Sequence, residues 1–239
     1  MIPLRDDNPT RITPVVTVAL IAINILIFLY QLSLGPRAGQ LFVYQFGAIP
    51  AVLSGSQALS PNLEAIPPIF SLFTSMFLHG GLMHVAGNML YLWIFGNNIE
   101  DAMGHFRFIL FYVVCGLAAS MAHILSDVGS AIPAIGASGA ISGVLGAYLL
   151  LYPRAQVLTL VPLGFFIRLM YIPAGLVLTL WFLLQLFYSG MSQGQGGGVA
   201  WWAHIGGFVA GLALVGLFKK RRVRFFNPPH HHASRYVRW

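Results

Sequence analysis

The chain has 239 residues, of which 57% are hydrophobic and only 8% are charged, and its mean hydropathy is +0.77. A soluble protein of this size carries about a quarter charged residues, so the composition excludes soluble domains and indicates an all-α polytopic membrane protein. The net charge of +7 is therefore interpreted as a signal of membrane topology and not of nucleic-acid binding. The single cysteine, Cys115, cannot form an intramolecular disulfide.

Apolar segments of spanning length predict six transmembrane helices. They cover residues 14–34, 82–99, 106–126, 138–152, 169–188 and 199–218. We expect a membrane domain over residues 14–218, a cytoplasmic segment at 1–13 and a basic cytoplasmic tail at 219–239. The first span is too long for the core of a signal peptide, so we expect it to be retained. The connection 35–78 is long yet apolar, and we expect it to rest in the membrane interface.

The Lys and Arg residues predict the orientation of these helices. With six spans, twelve basic residues fall on the side of the two termini and Arg37 alone falls on the other side. The twelve are Arg5, Arg11, Arg107, Arg154, Arg168, Lys219, Lys220, Arg221, Arg222, Arg224, Arg235 and Arg238. The positive-inside rule then makes both termini cytoplasmic, and we expect a multi-pass protein of a bacterial inner membrane.

Residues 133–147 contain the best candidate for a nucleophile. Ser138 lies between Gly136 and Gly139, where a loop becomes an apolar helix, so its hydroxyl has little bulk around it and lies at the positive end of a helix dipole. The helix that it opens is only about 22 Å long against about 30 Å of hydrocarbon, so Ser138 would lie in a recess. The alternative is that Gly139 and Gly143 are small only to let helices pack closely.

Three other polar residues are expected at the depth of Ser138. His84 and Asn88 would point from one face of the second helix, and His204 would lie in the outer third of the sixth. In this set, Ser138 would attack a carbonyl and His204 would take and return the proton. His84, Asn88 and the backbone N–H of Ser138 would hold the developing oxyanion. Each residue alone also has a structural interpretation, because His and Asn often form hydrogen bonds between membrane helices.

The acidic residues exclude two other protease chemistries. All six lie in loops or at helix ends, so no pair of membrane aspartates exists for an aspartyl protease. A His-Glu-x-x-His motif for zinc is also missing, so a zinc protease is excluded as well. Asp127, in a loop, is the only candidate for a third member of a catalytic triad. Metal binding by the tail histidines 230–232 is only weakly indicated.

In their order and their helix positions, these motifs resemble the rhomboid family of intramembrane serine proteases. The residues that carry the resemblance are His79-x-x-x-x-His84-x-x-x-Asn88, Glu100-x-x-x-Gly104, Gly136-Ala137-Ser138-Gly139 and Ala203-His204-Ile205-Gly206-Gly207-x-x-x-Gly211. The resemblance runs from about residue 70 to 218 and implies a six-transmembrane-helix rhomboid-like bundle with a Ser138–His204 dyad. It further implies cleavage of transmembrane protein substrates in the lipid bilayer, without a metal or cofactor.

The sequence departs from the family pattern in two places. The position four after the nucleophile, usually an aromatic residue that packs on the catalytic histidine, is Ser142, so another group must orient His204. The first loop lacks the Trp-Arg pair of many relatives, because no tryptophan precedes Arg37. Ser142 is also a rival nucleophile, although it lies one helical turn deeper.

Two other function classes are weighed against the protease. A catalytically silent rhomboid-like protein would bind and escort membrane clients, but such proteins typically lack the serine or the histidine. A small transporter would show ionisable residues at the midplane or an internal repeat, and neither is evident.

Within the protease hypothesis, the fifth helix with Trp181 would form a lateral entrance for substrates. The glycine-rich loop at 190–198 would be flexible enough to let this helix move. The substrate and the oligomeric state are not predicted.

Overall fold

The structure is a computed structural model that describes residues 1–164, 166–191 and 199–227. Its α-helices are α1 (Val15–Ser33), α2 (Gly35–Phe46), α3 (Pro50–Leu53), α4 (Ser71–Thr74), α5 (Leu82–Tyr91), α6 (Asn97–Met103), α7 (His105–Ser126), α8 (Ser138–Leu151), α9 (Ala174–Met191) and α10 (Trp201–Phe218). A π-helical turn, Leu92–Gly96, joins α5 to α6. Its strands are β1 (Ile2–Asp6), β2 (Gln156–Leu163) and β3 (Phe166–Pro173), which form one antiparallel sheet in the order β1-β2-β3.

Six apolar helices build the membrane part of the described chain. Four of them, α1, α7, α9 and α10, are long and apolar enough to cross a membrane. The helical run Leu82–Met103 passes the same test together with the segment Pro68–Phe77, against which it is bent by 80°. The sixth, α8, is apolar but shorter. This arrangement confirms the predicted all-α polytopic bundle.

Helix α8 lies at the centre of the bundle. Nearly all of its residues are buried, because it packs mainly against α7 and α10. Its 14 residues extend for about 21 Å, less than the roughly 30 Å of a full span. As predicted, the helix that begins at Ser138 is therefore too short to cross the bilayer.

Glycines allow α10 to lie in backbone contact with α8. A methyl group added at Gly207 would come within 2.0 Å of the carbonyl oxygen of Gly139. One added at Gly211 would come equally close to the carbonyl oxygen of Gly143. Because no side chain fits at either crossing, these four glycines set the distance between the two helices.

The fifth membrane helix begins later than predicted. Residues 169–173, expected within the helix 169–188, belong instead to β3, and α9 starts at Ala174. Strand β3 pairs with β2 across a turn at Gly164, and β1 from the N-terminus pairs with the other edge of β2. The hairpin is rich in Val, Ile, Leu and Phe, which raise hydropathy in a strand as much as in a helix. Hydropathy alone therefore could not distinguish the strand from a helix.

The two ends of α8 define two ends of the bundle. The sheet lies where α8 ends, and the chain after α10 returns to the same end, where the backbone N–H of Phe226 donates to the carbonyl of Leu150. We call this the basic end, because Arg5, Arg154 and Lys220 lie there. Ser138, at the other end of α8, marks the site end.

The buried carboxylate of Glu100 binds the start of α1. Its oxygens accept hydrogen bonds from the backbone N–H groups of Val16 at 2.9 Å and Thr17 at 2.8 Å, and from the Thr17 hydroxyl at 2.7 Å. His105 Nδ1 lies 2.5 Å from the same carboxylate. Since the first N–H groups of a helix have no partner within that helix, Glu100 acts as an N-terminal cap supplied from a distant part of the chain.

Candidate active site

Ser138 is the first residue of α8 and is half-buried at the site end. The loop before it contains Gly136, whose φ of +125° lies in the region that favours glycine. A methyl group added there would lie 2.8 Å from His84 Nε2 and 3.5 Å from Ser138 Oγ. The serine hydroxyl and the His84 ring therefore border one small space, which stays open because residue 136 has no side chain.

The hydroxyl of Ser138 lies 2.9 Å from Nε2 of His204. His204 belongs to the first turn of α10 and is only 9% exposed. The two residues are 66 positions apart in the sequence. They meet because the glycine crossings bring the backbones of α8 and α10 together below them.

Helices α9 and α10 surround the ring of His204. On the side away from Ser138, His204 Nδ1 lies 2.8 Å from Oε1 of Gln185. The rings of Trp181 and Trp201 pack against the imidazole with centroid separations of 5.8 Å and 6.1 Å. The expected aromatic contact with the histidine therefore comes from α9 and α10.

Ser142 does not take the orienting role that the resemblance implied for an aromatic residue at this position. Its hydroxyl donates a hydrogen bond of 2.7 Å to the backbone carbonyl of Ser138, one turn earlier in α8. The side chain is buried within the contact of α8 with α10. Ser142 thus supports the helix turn under Ser138 and is poorly placed as a rival nucleophile.

The suggested third triad residue is wrong. Asp127 is exposed at the end of α7, and the ring nitrogen that it would have bound contacts Gln185. The sequence did contain a signal for Gln185, because an amide inside the apolar run of the fifth helix is unusual. That signal alone does not indicate what the amide faces, because its partner His204 lies on another helix.

Hydrogen bonding fixes the proton of His84. The backbone N–H of Gly80 donates to His84 Nδ1 at 3.3 Å. A ring nitrogen that accepts carries no proton, so neutral His84 carries its proton on Nε2. This N–H lies beside the space above Gly136, next to the Ser138 hydroxyl.

Asn88 is buried and held by His79. Its amide nitrogen lies 2.9 Å from His79 Nε2, and this contact uses one of the two amide hydrogens. The backbone N–H of His79 in turn donates to Gln31 Oε1 of α1 at 3.0 Å. This chain of contacts connects α5, which carries His84 and Asn88, to α1.

Within the described ranges, no group of three or more His, Cys, Asp and Glu side chains is arranged to hold a metal ion. The histidines 230–232, for which a metal was considered, lie outside those ranges. So do residues 192–198 of the glycine-rich loop that was expected to let the fifth helix move.

The geometry combines three chemical functions at one half-buried position. A hydroxyl contacts an imidazole nitrogen, a polar group contacts the other nitrogen of that ring, and a second imidazole presents an N–H to the adjoining space. A nucleophile, a base that is itself held, and a donor for a developing negative charge are the requirements of acyl transfer.

Comparisons with known proteins give one family. The Rhomboid domain matches residues 68–221. Rhomboid protease GluP of Bacillus subtilis is 46% identical over 78 residues, which are 33% of this chain and 15% of that protein. RHOMBOID-like protein 5 of Arabidopsis thaliana is 38% identical over 78 residues, 33% of this chain and 25% of the relative.

A third relative is Rhomboid protein 1, mitochondrial, of Saccharomyces cerevisiae, which is 35% identical over 95 residues, 38% of this chain and 28% of that protein. The matched regions thus span less than a third of the length of each of these three relatives.

Proposed function

This chain belongs to the rhomboid family, and on that premise we propose that it is an intramembrane serine protease that hydrolyses peptide bonds in or near transmembrane segments of other membrane proteins. The observation that carries the proposal is the 2.9 Å contact between Ser138 Oγ and His204 Nε2, next to the space that His84 borders. A protein that only bound membrane clients would have no need for this contact.

In the proposed reaction, Ser138 Oγ attacks the scissile carbonyl carbon while its proton passes to His204 Nε2. The oxyanion that forms accepts hydrogen bonds from His84 Nε2, the Asn88 amide and the backbone N–H of Ser138. The C–N bond then breaks as His204 gives its proton to the leaving nitrogen. Water attacks the acyl-enzyme, His204 takes a proton from it, and that proton returns to Ser138 as the new carboxyl group leaves.

We also propose that both termini are cytoplasmic. The sheet and the segment after α10 share the basic end, and Lys and Arg residues concentrate on the cytoplasmic side of membrane proteins. The site end would then face the outer half of the bilayer. Substrates would be cut near the outer membrane surface.

Labelling with a fluorophosphonate probe, which reacts with activated serines, tests the proposal. The purified full-length protein in detergent should be labelled, and labelling should be lost in Ser138→Ala and in His204→Ala. Ser142→Ala is the matched control on the same helix and should be labelled like the wild type. Equal labelling of Ser138→Ala would overturn the assignment, and a wild type that is not labelled would favour a silent rhomboid-like protein that binds clients.

A further inference from the structure

Gln185 is a polar residue of α9 that contacts the candidate general base from behind. Its side chain is only 6% exposed, and its Oε1 lies 2.8 Å from His204 Nδ1. We infer that Gln185 is a positioning residue that fixes both the tautomer and the ring orientation of His204. This inference rests on the proposed protease function.

The direction of the Gln185 amide follows from its second hydrogen bond. Its Nε2 donates to the backbone carbonyl of Trp181, one turn earlier in α9, at 3.0 Å. A carbonyl oxygen can only accept, so the amide cannot be turned around without facing one oxygen with another. Oε1 is therefore the atom that faces His204.

The amide oxygen in turn fixes the proton on the imidazole. Because Oε1 can only accept, His204 Nδ1 must donate and carries the proton of the neutral ring. Nε2 then keeps its lone pair, 2.9 Å from Ser138 Oγ. Only this tautomer can take the proton of the serine, and a side chain that holds a catalytic histidine in it contributes to the rate without contacting the substrate.

Helix α9 also limits rotation of the same ring. Trp181 lies against the imidazole at 5.8 Å with an angle of 36° between the ring planes. Ser142 cannot take this role, since its hydroxyl is bonded to the carbonyl of Ser138. One turn of α9 thus provides the packing and the hydrogen bond that hold His204.

The test compares three substitutions in the full-length protein. Gln185→Leu keeps the size of the side chain but offers no acceptor. Gln185→Glu keeps an acceptor oxygen for His204, and in its neutral form its O–H replaces the amide as the donor to the Trp181 carbonyl. Ser189→Ala is the control, because Ser189 is buried one turn further along α9 and bonds the carbonyl of Leu186 in its own helix.

We expect Gln185→Leu to lower the maximal rate of fluorophosphonate labelling by about 10- to 100-fold, which is the usual effect of losing such a supporting contact. The probe concentration that gives the half-maximal rate should change little. Gln185→Glu and Ser189→Ala should stay within about threefold of the wild type, since both keep an acceptor for His204. The ¹⁵N spectrum of labelled histidine, assigned with His204→Ala, should show Nδ1–H for His204 in the wild type and loss of that form in Gln185→Leu.

Each result has one meaning. Unchanged labelling of Gln185→Leu, with none in Ser138→Ala and His204→Ala, would overturn the inference and leave the proposed function standing. Slow labelling of Gln185→Leu with the Nδ1–H form intact would also overturn it, because the effect would then be structural. Labelling that persists in Ser138→Ala would instead refute the proposed function.

Discussion

At the scale of single residues, two histidines of the candidate site are given opposite roles by their hydrogen bonds. The backbone N–H of Gly80 donates to Nδ1 of His84, so His84 presents an N–H toward the site. The amide oxygen of Gln185 accepts from Nδ1 of His204, so His204 presents a lone pair. The sequence allowed both residues to be predicted, but not their tautomers, because the partners are a loop amide and a residue on another helix.

The donor role of His84 predicts the effect of its removal. His84→Ala should lower the maximal rate of cleavage of a single-span test protein in liposomes by about 100- to 1000-fold, because one donor to the oxyanion is lost. The substrate concentration for half-maximal rate should change little, since the contact forms only in the transition state. Met83→Ala, whose side chain is 83% exposed on the same turn, is the control. An unchanged maximal rate in His84→Ala would contradict the role.

At the scale of helices, the contact of α8 with α10 decides whether Ser138 meets His204. The sequence offers Gly139 and Gly143 as a small-residue packing surface, and in the structure they meet Gly207 and Gly211 at the crossing. The boundary of the fifth helix was missed, because an apolar hairpin and an apolar helix share the same composition. Pairing with the N-terminal strand β1 decides between them, and no local pattern contains that partner.

The same contact predicts what a single methyl group would do. Gly211→Ala places a carbon 2.0 Å from the Gly143 carbonyl, so α10 must move away from α8. We expect a loss of about 1–3 kcal/mol of stability, as for other overpacked interiors, together with slower labelling of Ser138. Gly216→Ala is the control on α10, since its methyl would meet Phe225 at an ordinary 3.5 Å. Thermal unfolding and probe labelling measure the two effects, and identical behaviour of both variants would refute the explanation.

At the scale of the whole molecule, the side chain of Asp6 connects strand β1 to two helices at the basic end. Asp6 Oδ2 accepts hydrogen bonds from Asn98 Nδ2 at 2.9 Å and from the Tyr148 hydroxyl. The strand thereby contacts both α6 and α8. Burial raises the pKa of Asp6 from 3.8 to about 7, in spite of the Tyr148 hydrogen bond, which lowers it.

This pKa predicts a stability that falls with rising pH. Between pH 4 and about pH 7 the folded state binds the Asp6 proton and the unfolded state does not, so the contribution of this group is largest at low pH and is lost as pH rises through about 7. The unfolding temperature of the wild type, minus that of Asp6→Asn, should therefore decrease between pH 5 and pH 8. A difference that stays constant or increases would contradict the raised pKa.

The features that could be predicted from the sequence are those that depend on local patterns, and the others depend on contacts between distant residues. The polytopic helical class, the short fourth helix, and the residues Ser138 and His204 as a candidate pair follow from hydropathy and motif spacing, which are local. Gln185 and the sheet depend on contacts between distant parts of the chain. Asp127 was the only nearby charged candidate for a third residue, whereas nothing local in the sequence indicates that the Gln185 amide faces His204.

The cap that Glu100 forms on α1 has a consequence for biogenesis. A ribosome synthesises Val16 and Thr17 more than eighty residues before Glu100, so α1 enters the bilayer while its first N–H groups still lack this carboxylate. Until the later helices arrive, α1 is a solitary span with water or lipid headgroups at its start. Closure of the bundle around α1 is therefore a late event of assembly, completed only when the α6–α7 junction has been inserted.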